Sequence, residues 1–383
     1  MIDFNTIRQY NFPTVIRFGA GAIEELPAHL REQNVRRTLI VSDPTVIQLD
    51  FFKKIKSSIE GRQISVEVFS DIHKNPVKLD VMKGKEAFHS TARDCIIGIG
   101  GGAAMDVARA IALSIHHNRD LFDYDDLIGG DKYITGEIPY FITVPTTSGT
   151  GSEVGRSAII AEDGTHKKRI LFSPKLIARI VFADPLLTME LPPFITAATG
   201  MDALTHNMEA FIAKSFHPLC EGIALEGMSL ISQSIVTAVN HPDLESRSKM
   251  MIASLMGAVA FQKGLGVVHS LAHPLSALLD THHGLANAVN LPYGMHFNRA
   301  GFETSFKKMA MAMNLKDDQD EALIKLLFSL NQQTGLPVKL RDIGVKPEDI
   351  ETLADLALDD FCHLNNPKPV SRMDFKRLYL EAL

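Results

Sequence analysis

Short apolar runs alternate with helix-like stretches along the first half of the chain. RTLIVSD (37–43) reads as a buried strand ending in a turn, and ISVEVFSD (64–71) alternates like a second strand. DCIIGIGGG (94–102) is a third, and its glycines open a helix, AAMDVARAIALSI (103–115). YFITVP (140–145) and ARIVFADP (178–185) read as two more. Strand–helix alternation of this kind predicts a layered α/β domain with a largely parallel sheet.

The texture changes after Asp184-Pro185. LPPFITAATGMDALTHNMEAFIAK (191–214), LCEGIALEGMSLISQSIVTAV (219–239) and SKMMIASLMGAVAF (248–261) have helical periodicity, with no convincing strand between them. Residues 186–383 therefore read as an all-helical domain and residues 1–185 as the α/β domain. Two domains also suit 383 residues at roughly 100–200 per domain. A cleft between such domains is a usual place for a cofactor and a substrate.

Composition narrows the class. Hydrophobic residues make up 45% and charged residues 22%, as in a globular protein in water. The net charge is -6 without a long basic run, which argues against a nucleic-acid surface. The opening, MIDFNTIRQYNF, reads as neither a signal nor a transit peptide, and no apolar run reaches the ~18 residues of a membrane span. Cys95, Cys220 and Cys362 lie far apart, without metal-type spacing, so a reducing, cytoplasmic setting is expected.

Three loops suit a dinucleotide. Gly100-Gly101-Gly102 joins a strand to a helix, where backbone N–H groups and the helix N-terminus favour a pyrophosphate. The GxGxxG fingerprint is absent, and such a loop is often only a tight turn. PTTSGTGSE (145–153) crowds hydroxyls just past a strand; it suits phosphate and ribose oxygens, or is a polar surface loop. Asp43, at the end of a strand, can accept from an adenosine ribose and repel a 2′-phosphate; alone it reads equally as a turn or cap residue. Together they predict a Rossmann-like, dinucleotide-binding N-terminal domain.

The histidines carry the other candidate chemistry. Asp202 and His206 are four apart in an otherwise apolar helix, so they share one face. HSLAHPLSALLDTHHG (269–284) places His269 and His273 four apart as well, with His282 and His283 after the next loop. An ionised Asp in apolar surroundings needs a cation or strong donors. Three imidazoles and one carboxylate would satisfy a divalent transition metal and leave a position open for substrate. The alternative is a set of solvated or capping histidines.

These motifs together resemble the iron-containing (group III) alcohol dehydrogenase family. The resemblance rests on GGGAAMD, PTTSGTGSEV, the DPLLT-x3-P segment, MDALTH, VHSLAHPL, HHGLANAVNLP and NNPKP, and so spans nearly the whole chain. It implies the two-domain architecture shared with dehydroquinate synthase-like proteins. It places the metal ligands on Asp202, His206, His269 and His283, and an additional active-site histidine on His273. It places cofactor residues on Asp43, Gly100, Gly101, Asp106, Thr146, Thr147, Thr150 and Lys168. It also implies Fe2+, although imidazole and carboxylate suit Zn2+ as well. This chain departs from the family pattern at Ala103, where serine is frequent, at His282, where proline is common, and at Lys368, where arginine is frequent.

The implied activity is hydride transfer between NAD, rather than NADP, and a metal-bound small alcohol or aldehyde, in a homodimer or higher homo-oligomer. His273 is expected to relay the proton or to support a ligand. An NAD-using, metal-dependent lyase of the same superfamily is the runner-up; a metal-dependent hydrolase or an NAD sensor fits less well. Two cations near these motifs, Arg156 in GSEVGRSA and Lys263 in FQKGLGVVH, suit an anionic substrate tail. Their alternatives are an ion pair with a structural carboxylate for Arg156, and a helix cap or cofactor-phosphate contact for Lys263.

Overall fold

The computed structural model describes residues 12, 14–165, 167–316 and 320–383; most of the opening segment discussed above lies outside them. The chain divides into two compact units. One holds Pro13–Thr147 and Ser152–Glu190, the other Leu191–Leu383 together with Ser148–Gly151.

The first unit is built on a six-stranded parallel sheet in the order β1-β8-β5-β4-β2-β3. The strands are β1 (Val15–Phe18), β2 (Arg37–Val41), β3 (Ser65–Phe69), β4 (Cys95–Gly100), β5 (Tyr140–Pro145) and β8 (Ile180–Ala183). β4 is buried along its whole length, as its run of isoleucines requires of a strand covered on both faces. Sequence reading missed the edge strand β1 and an antiparallel hairpin, β6 (Ser157–Ala161) with β7 (Lys168–Phe172). Helices α1 (Leu26–Glu32), α2 (Asp50–Glu60), α3 (Lys78–Ser90) and α4 (Gly102–Ile115) complete this unit's α-helices.

The strand order reverses beside β2. The chain runs from β2 outward to β3, then returns to lay β4 on the other side of β2, with Ile40 opposite Ile97. Ligands of open α/β sheets bind at such switch points, outside the carboxyl ends of the strands. Asp43 follows β2 there, and the three glycines run from the last residue of β4 to the first of α4.

The second unit is helical: α5 (Pro193–Ile212), α6 (Pro218–Asn240), α7 (Leu244–Ala260), α8 (Val267–Leu279), α9 (His283–Arg299), α10 (Glu303–Ala312), α11 (Asp320–Gln333), α12 (Ile350–Leu358) and α13 (Arg372–Ala382). α5 is buried along almost its whole length and lies against α6, α7 and α9. By length and composition α6 is apolar enough to cross a membrane, but Ala224, Met228, Ile231 and Ile235 lie in this unit's core. α8 continues through Pro274 and ends at Asp280 in the left-handed conformation.

Candidate active site

α5, α8 and the start of α9 bring four side chains together. Asp202, His206, His269 and His283 each offer one ligand atom, and these atoms lie within 4.8 Å of one another. Asp202 and His206 come from one face of α5, His269 from the first turn of α8, and His283 from the first residue of α9. Close approach is built in at Gly284, where a Cβ would meet the Ala198 carbonyl oxygen at 2.4 Å. Any side chain there would push α9, and His283 with it, away from α5. His282 takes a different part: it caps α9, its Nδ1 accepting from the Leu285 N–H at 3.4 Å.

The surroundings of these four atoms suit a divalent cation. Asp202 Oδ1 lies 3.5 Å from His283 Nε2 and 4.0 Å from His206 Nε2. Asn287 Nδ2 lies 2.7 Å from Asp202 Oδ1 and 3.2 Å from Nε2 of both His269 and His283, so one amide group touches three of the four ligand atoms. Burial pushes His206 down to about 4, against the pull of Asp202, which leaves it a neutral imidazole with a lone pair to give. His269 Nδ1 lies 2.6 Å from Glu209 Oε2, and donation to that carboxylate selects the tautomer of the neutral ring whose Nε2 is free for a metal. Glu209 also accepts from the backbone N–H of Val268 at 2.7 Å and of His269 at 3.4 Å. Asp202, His206 and His269 are buried, whereas the His283 side chain keeps a quarter of its surface.

His273 stands one turn beyond His269 on α8. Its ring stacks on His283 at 5.4 Å between centroids, and its Nδ1 lies 2.7 Å from Asp360 Oδ2. Burial alone would raise the Asp360 carboxyl, but the His273 charge and hydrogen bonds from His273, Ser270 and the Cys362 N–H hold it well below the usual carboxylate range. Sequence reading missed Glu209, Asn287 and Asp360. Glu209 follows His206 by three and Asn287 follows His283 by four, so helical spacing could have flagged both; Asp360 carries no such signal.

In the α/β unit Asp43, Gly100, Gly101, Thr146 and Thr147 lie together at the switch point. Gly100 has φ 149°, a conformation L side chains rarely adopt, and a Cβ there would meet Ala104 Cβ at 2.9 Å. The same Cβ would lie 3.4 Å from Asp43 Oδ2, so that carboxylate borders the glycine loop. Asp43 Oδ1 accepts from the Thr45 and Val46 N–H groups at 2.9 Å each, which makes Asp43 a turn residue as well. Gly101 caps α4 and faces Thr147, while the Thr146 N–H donates to the Gly100 carbonyl at 2.9 Å. Such a cradle of glycine backbone at a helix N-terminus fits a pyrophosphate. Thr150 belongs to the helical unit, in a segment whose Gly149 lies against Thr199. Asp106 accepts from Ser152 Oγ at 2.6 Å, the Ile159 N–H at 3.1 Å and Arg109 at 3.2 Å, which ties α4 to the hairpin. Burial pushes its carboxyl up, opposed by Arg109 and by the charge of Lys168.

The two expected anion-binding cations fare differently. Lys263 is buried, with Nζ 2.6 Å from the Phe211 carbonyl and 2.9 Å from Glu221 Oε1. This corrects the expectation of a substrate role: the ammonium is held by the partly exposed carboxylate of Glu221 and caps the last turn of α5. Arg156 sits 5.3 Å above the Phe172 ring, and among the described residues no carboxylate pairs with it.

A model described as iron-containing alcohol dehydrogenase matches residues 13–185, and one described as Fe-containing alcohol dehydrogenase family, C-terminal, matches residues 196–383. The chain belongs to the iron-containing alcohol dehydrogenase family. It is 36% identical over 381 residues to the 4-hydroxybutyrate dehydrogenase of Cupriavidus necator, covering 97% of this chain and 98% of that one. It is 31% identical to the lactaldehyde reductase of Escherichia coli strain K12, over 95% of this chain and 97% of the other. The crystal structure of a 1,3-propanediol oxidoreductase superposes with a TM-score of 0.93 at 31% identity, covering 98% of this chain and all of that one. The protein is thus an oxidoreductase of alcohols and aldehydes, which sets aside the lyase, hydrolase and sensor readings. Membership of the family implies a nicotinamide cofactor and a divalent metal.

Proposed function

We propose that the enzyme interconverts a small alcohol and its aldehyde with NAD(H), using iron(II) held by Asp202, His206, His269 and His283. The observation that carries this reading is the convergence of three imidazoles and one carboxylate within 4.8 Å. When bound, the ion polarises the alcohol or carbonyl oxygen and the nicotinamide gives or takes the hydride. The chain's own residues do the rest. Glu209 fixes the His269 tautomer, and Asn287 holds the Asp202 carboxylate in place. His273, on the less buried side of the ligand set with His283, accepts the hydroxyl proton in oxidation and returns it in reduction. In the α/β unit, Gly100, Gly101, Thr146 and Thr147 cradle the pyrophosphate, and Asp43 Oδ2 takes the adenosine ribose.

The substrate reading follows one relative and one side chain. The relative from Cupriavidus necator is named for a hydroxy acid. Of the two cations expected to meet an acidic tail, Arg156 has no carboxylate partner among the described residues, so the proposed substrate class is a short ω-hydroxy acid or its semialdehyde. The test is a panel of neutral and acidic alcohols and aldehydes on iron-loaded enzyme, read by nicotinamide absorbance. Stoichiometric change in NADH, with the acidic compounds turned over more efficiently, is expected. Turnover without net change in NADH would overturn the activity, and a preference for neutral compounds would overturn the substrate class.

A further inference from the structure

The two histidines of α8 stand one turn apart, and each is gripped at the same ring nitrogen by a carboxylate from elsewhere in the helical unit. Glu209 of α5 takes His269 Nδ1 at 2.6 Å. Asp360, in the loop after α12, takes His273 Nδ1 at 2.7 Å. A metal ligand needs such a grip to aim its lone pair. His273 is not among the four converging ligands, so its grip needs another explanation.

Asp360 is itself held. Its Oδ1 accepts from Ser270 Oγ at 2.6 Å and from the Cys362 N–H at 2.9 Å, while Oδ2 faces His273. Ser270 is fixed in turn by the His363 N–H at 2.8 Å. The carboxylate therefore cannot swing away, and its neighbour Asp359 takes no part in these contacts. His273, Asp360 and Cys362 are close enough to suggest a second metal group. Hydrogen bonds account for them instead, since both Asp360 oxygens already accept from protein donors.

We propose that Asp360 is a positioning residue that selects the Nδ1–H tautomer of the neutral His273 ring, so that Nε2 is the nitrogen that takes up and returns the proton. Neutral imidazole has two tautomers, and an acceptor at Nδ1 selects one of them. Asp360 also sets the plane of the ring, which lies 22° from that of His283. It acts through His273 and touches no reacting atom. The inference rests on the reading of His273 as the proton relay.

The test uses iron-loaded, full-length enzyme with Asp360→Asn, Asp360→Glu, His273→Gln and the Asp360→Asn/His273→Gln double variant. Proton transfer by a placed side chain contributes about 10²–10⁴-fold. Asp360→Asn is therefore expected to lower kcat at least tenfold at unchanged KM and unchanged iron content. Asp360→Glu is expected to recover part of the loss. In the His273→Gln background the Asn substitution should cost nothing further. Nitrogen-15 NMR of zinc-loaded, histidine-labelled protein, with the His273 signal assigned by its loss in His273→Gln, should show Nδ1–H in wild type and a mixture in Asp360→Asn.

An equal fall in kcat from Asp360→Asn with and without His273 would overturn the proposal, as would an unchanged tautomer. Iron loss in proportion to the fall in rate would also overturn it, since Asp360 would then act on the metal. Full activity of His273→Gln would defeat the relay reading instead, and the NMR result would then decide the positioning claim by itself.

Discussion

Glu209 is the residue on which the metal affinity should turn, although it is not a ligand. Three donors face its two oxygens: the Val268 N–H at 2.7 Å, His269 Nδ1 at 2.6 Å and the His269 N–H at 3.4 Å. In Glu209→Gln one oxygen becomes an NH2 group. Whichever way the amide turns, either Val268 or His269 Nδ1 meets a donor in place of an acceptor. The first case leaves a buried backbone N–H unsatisfied, at about 1–3 kcal/mol of stability. The second frees the His269 ring to rotate or change tautomer, and the lone pair at Nε2 is no longer fixed.

Losing a hydrogen-bond partner of this kind typically lowers metal affinity about 10–100-fold. That corresponds to about 1.4–2.7 kcal/mol. Iron(II) affinity should be measured by anaerobic competition with a chelator, and apoprotein stability by urea denaturation, for wild type, Glu209→Gln and Glu209→Ala. The expected result is weaker binding in both variants, with the larger loss of apoprotein stability in the alanine variant. Iron affinity within about twofold of wild type in Glu209→Gln would refute the reasoning, because the hydrogen bond would then contribute nothing to aiming the ligand.

Four further outcomes follow from the geometry. His269→Ala should lose most bound iron, whereas His282→Ala should keep it and lose only about 1 kcal/mol as a helix cap; metal analysis beside thermal unfolding separates the two. Asp43→Asn keeps the Oδ1 turn contacts but removes the charge, so it should narrow a preference for NADH over NADPH with little change in Tm; equal wild-type efficiency with both cofactors would contradict the ribose role. Burial pushes Glu153 up to about 7, so between 4.5 and 7 the folded protein holds a proton that the unfolded chain has released, and stability falls as pH rises through that window before levelling off. Glu153→Gln should relieve up to about 3 kcal/mol of that loss, seen as a stability gain over wild type that is larger near pH 8 than near pH 5; a pH-independent difference would refute it. Arg156→Met should lower kcat/KM for an acidic semialdehyde and leave that for a neutral aldehyde of matched length unchanged, and equal effects on both would remove the anionic-tail role.

What could be read from the sequence and what could not divide along a physical line. TLIV and CIIGIG announce strands because a strand covered on both faces needs an unbroken apolar run. VIRF of β1 does not, because this edge strand is largely exposed and mixes an arginine into four residues. The hairpin of β6 and β7 was missed although Glu162-Asp163-Gly164 supplies turn residues, since SAIIA and KRILF are short runs without alternation. The metal-ligand candidates were legible because helical spacing of four is a local property: Asp202 with His206 shares a face whatever surrounds the helix.

What meets that face is settled only by packing. Spacing makes His269 and His273 equivalent, two imidazoles one turn apart on α8. Tertiary structure separates them, setting Glu209 of α5 against the first and Asp360 of a distant loop against the second. It also aims the lone pair of His269 at Asp202 and His283 and leaves that of His273 outside the ligand set. The same logic corrects Lys263. Its place beside a ligand motif suggested substrate, but a buried ammonium needs a fixed carboxylate, and α6 supplies one in Glu221. A charged side chain near a motif is therefore evidence of function only once its partner is known. Arg156 has an aromatic ring below it and no carboxylate beside it among the described residues, so its proposed anionic-tail role rests on the comparison of acidic and neutral aldehydes in Arg156→Met.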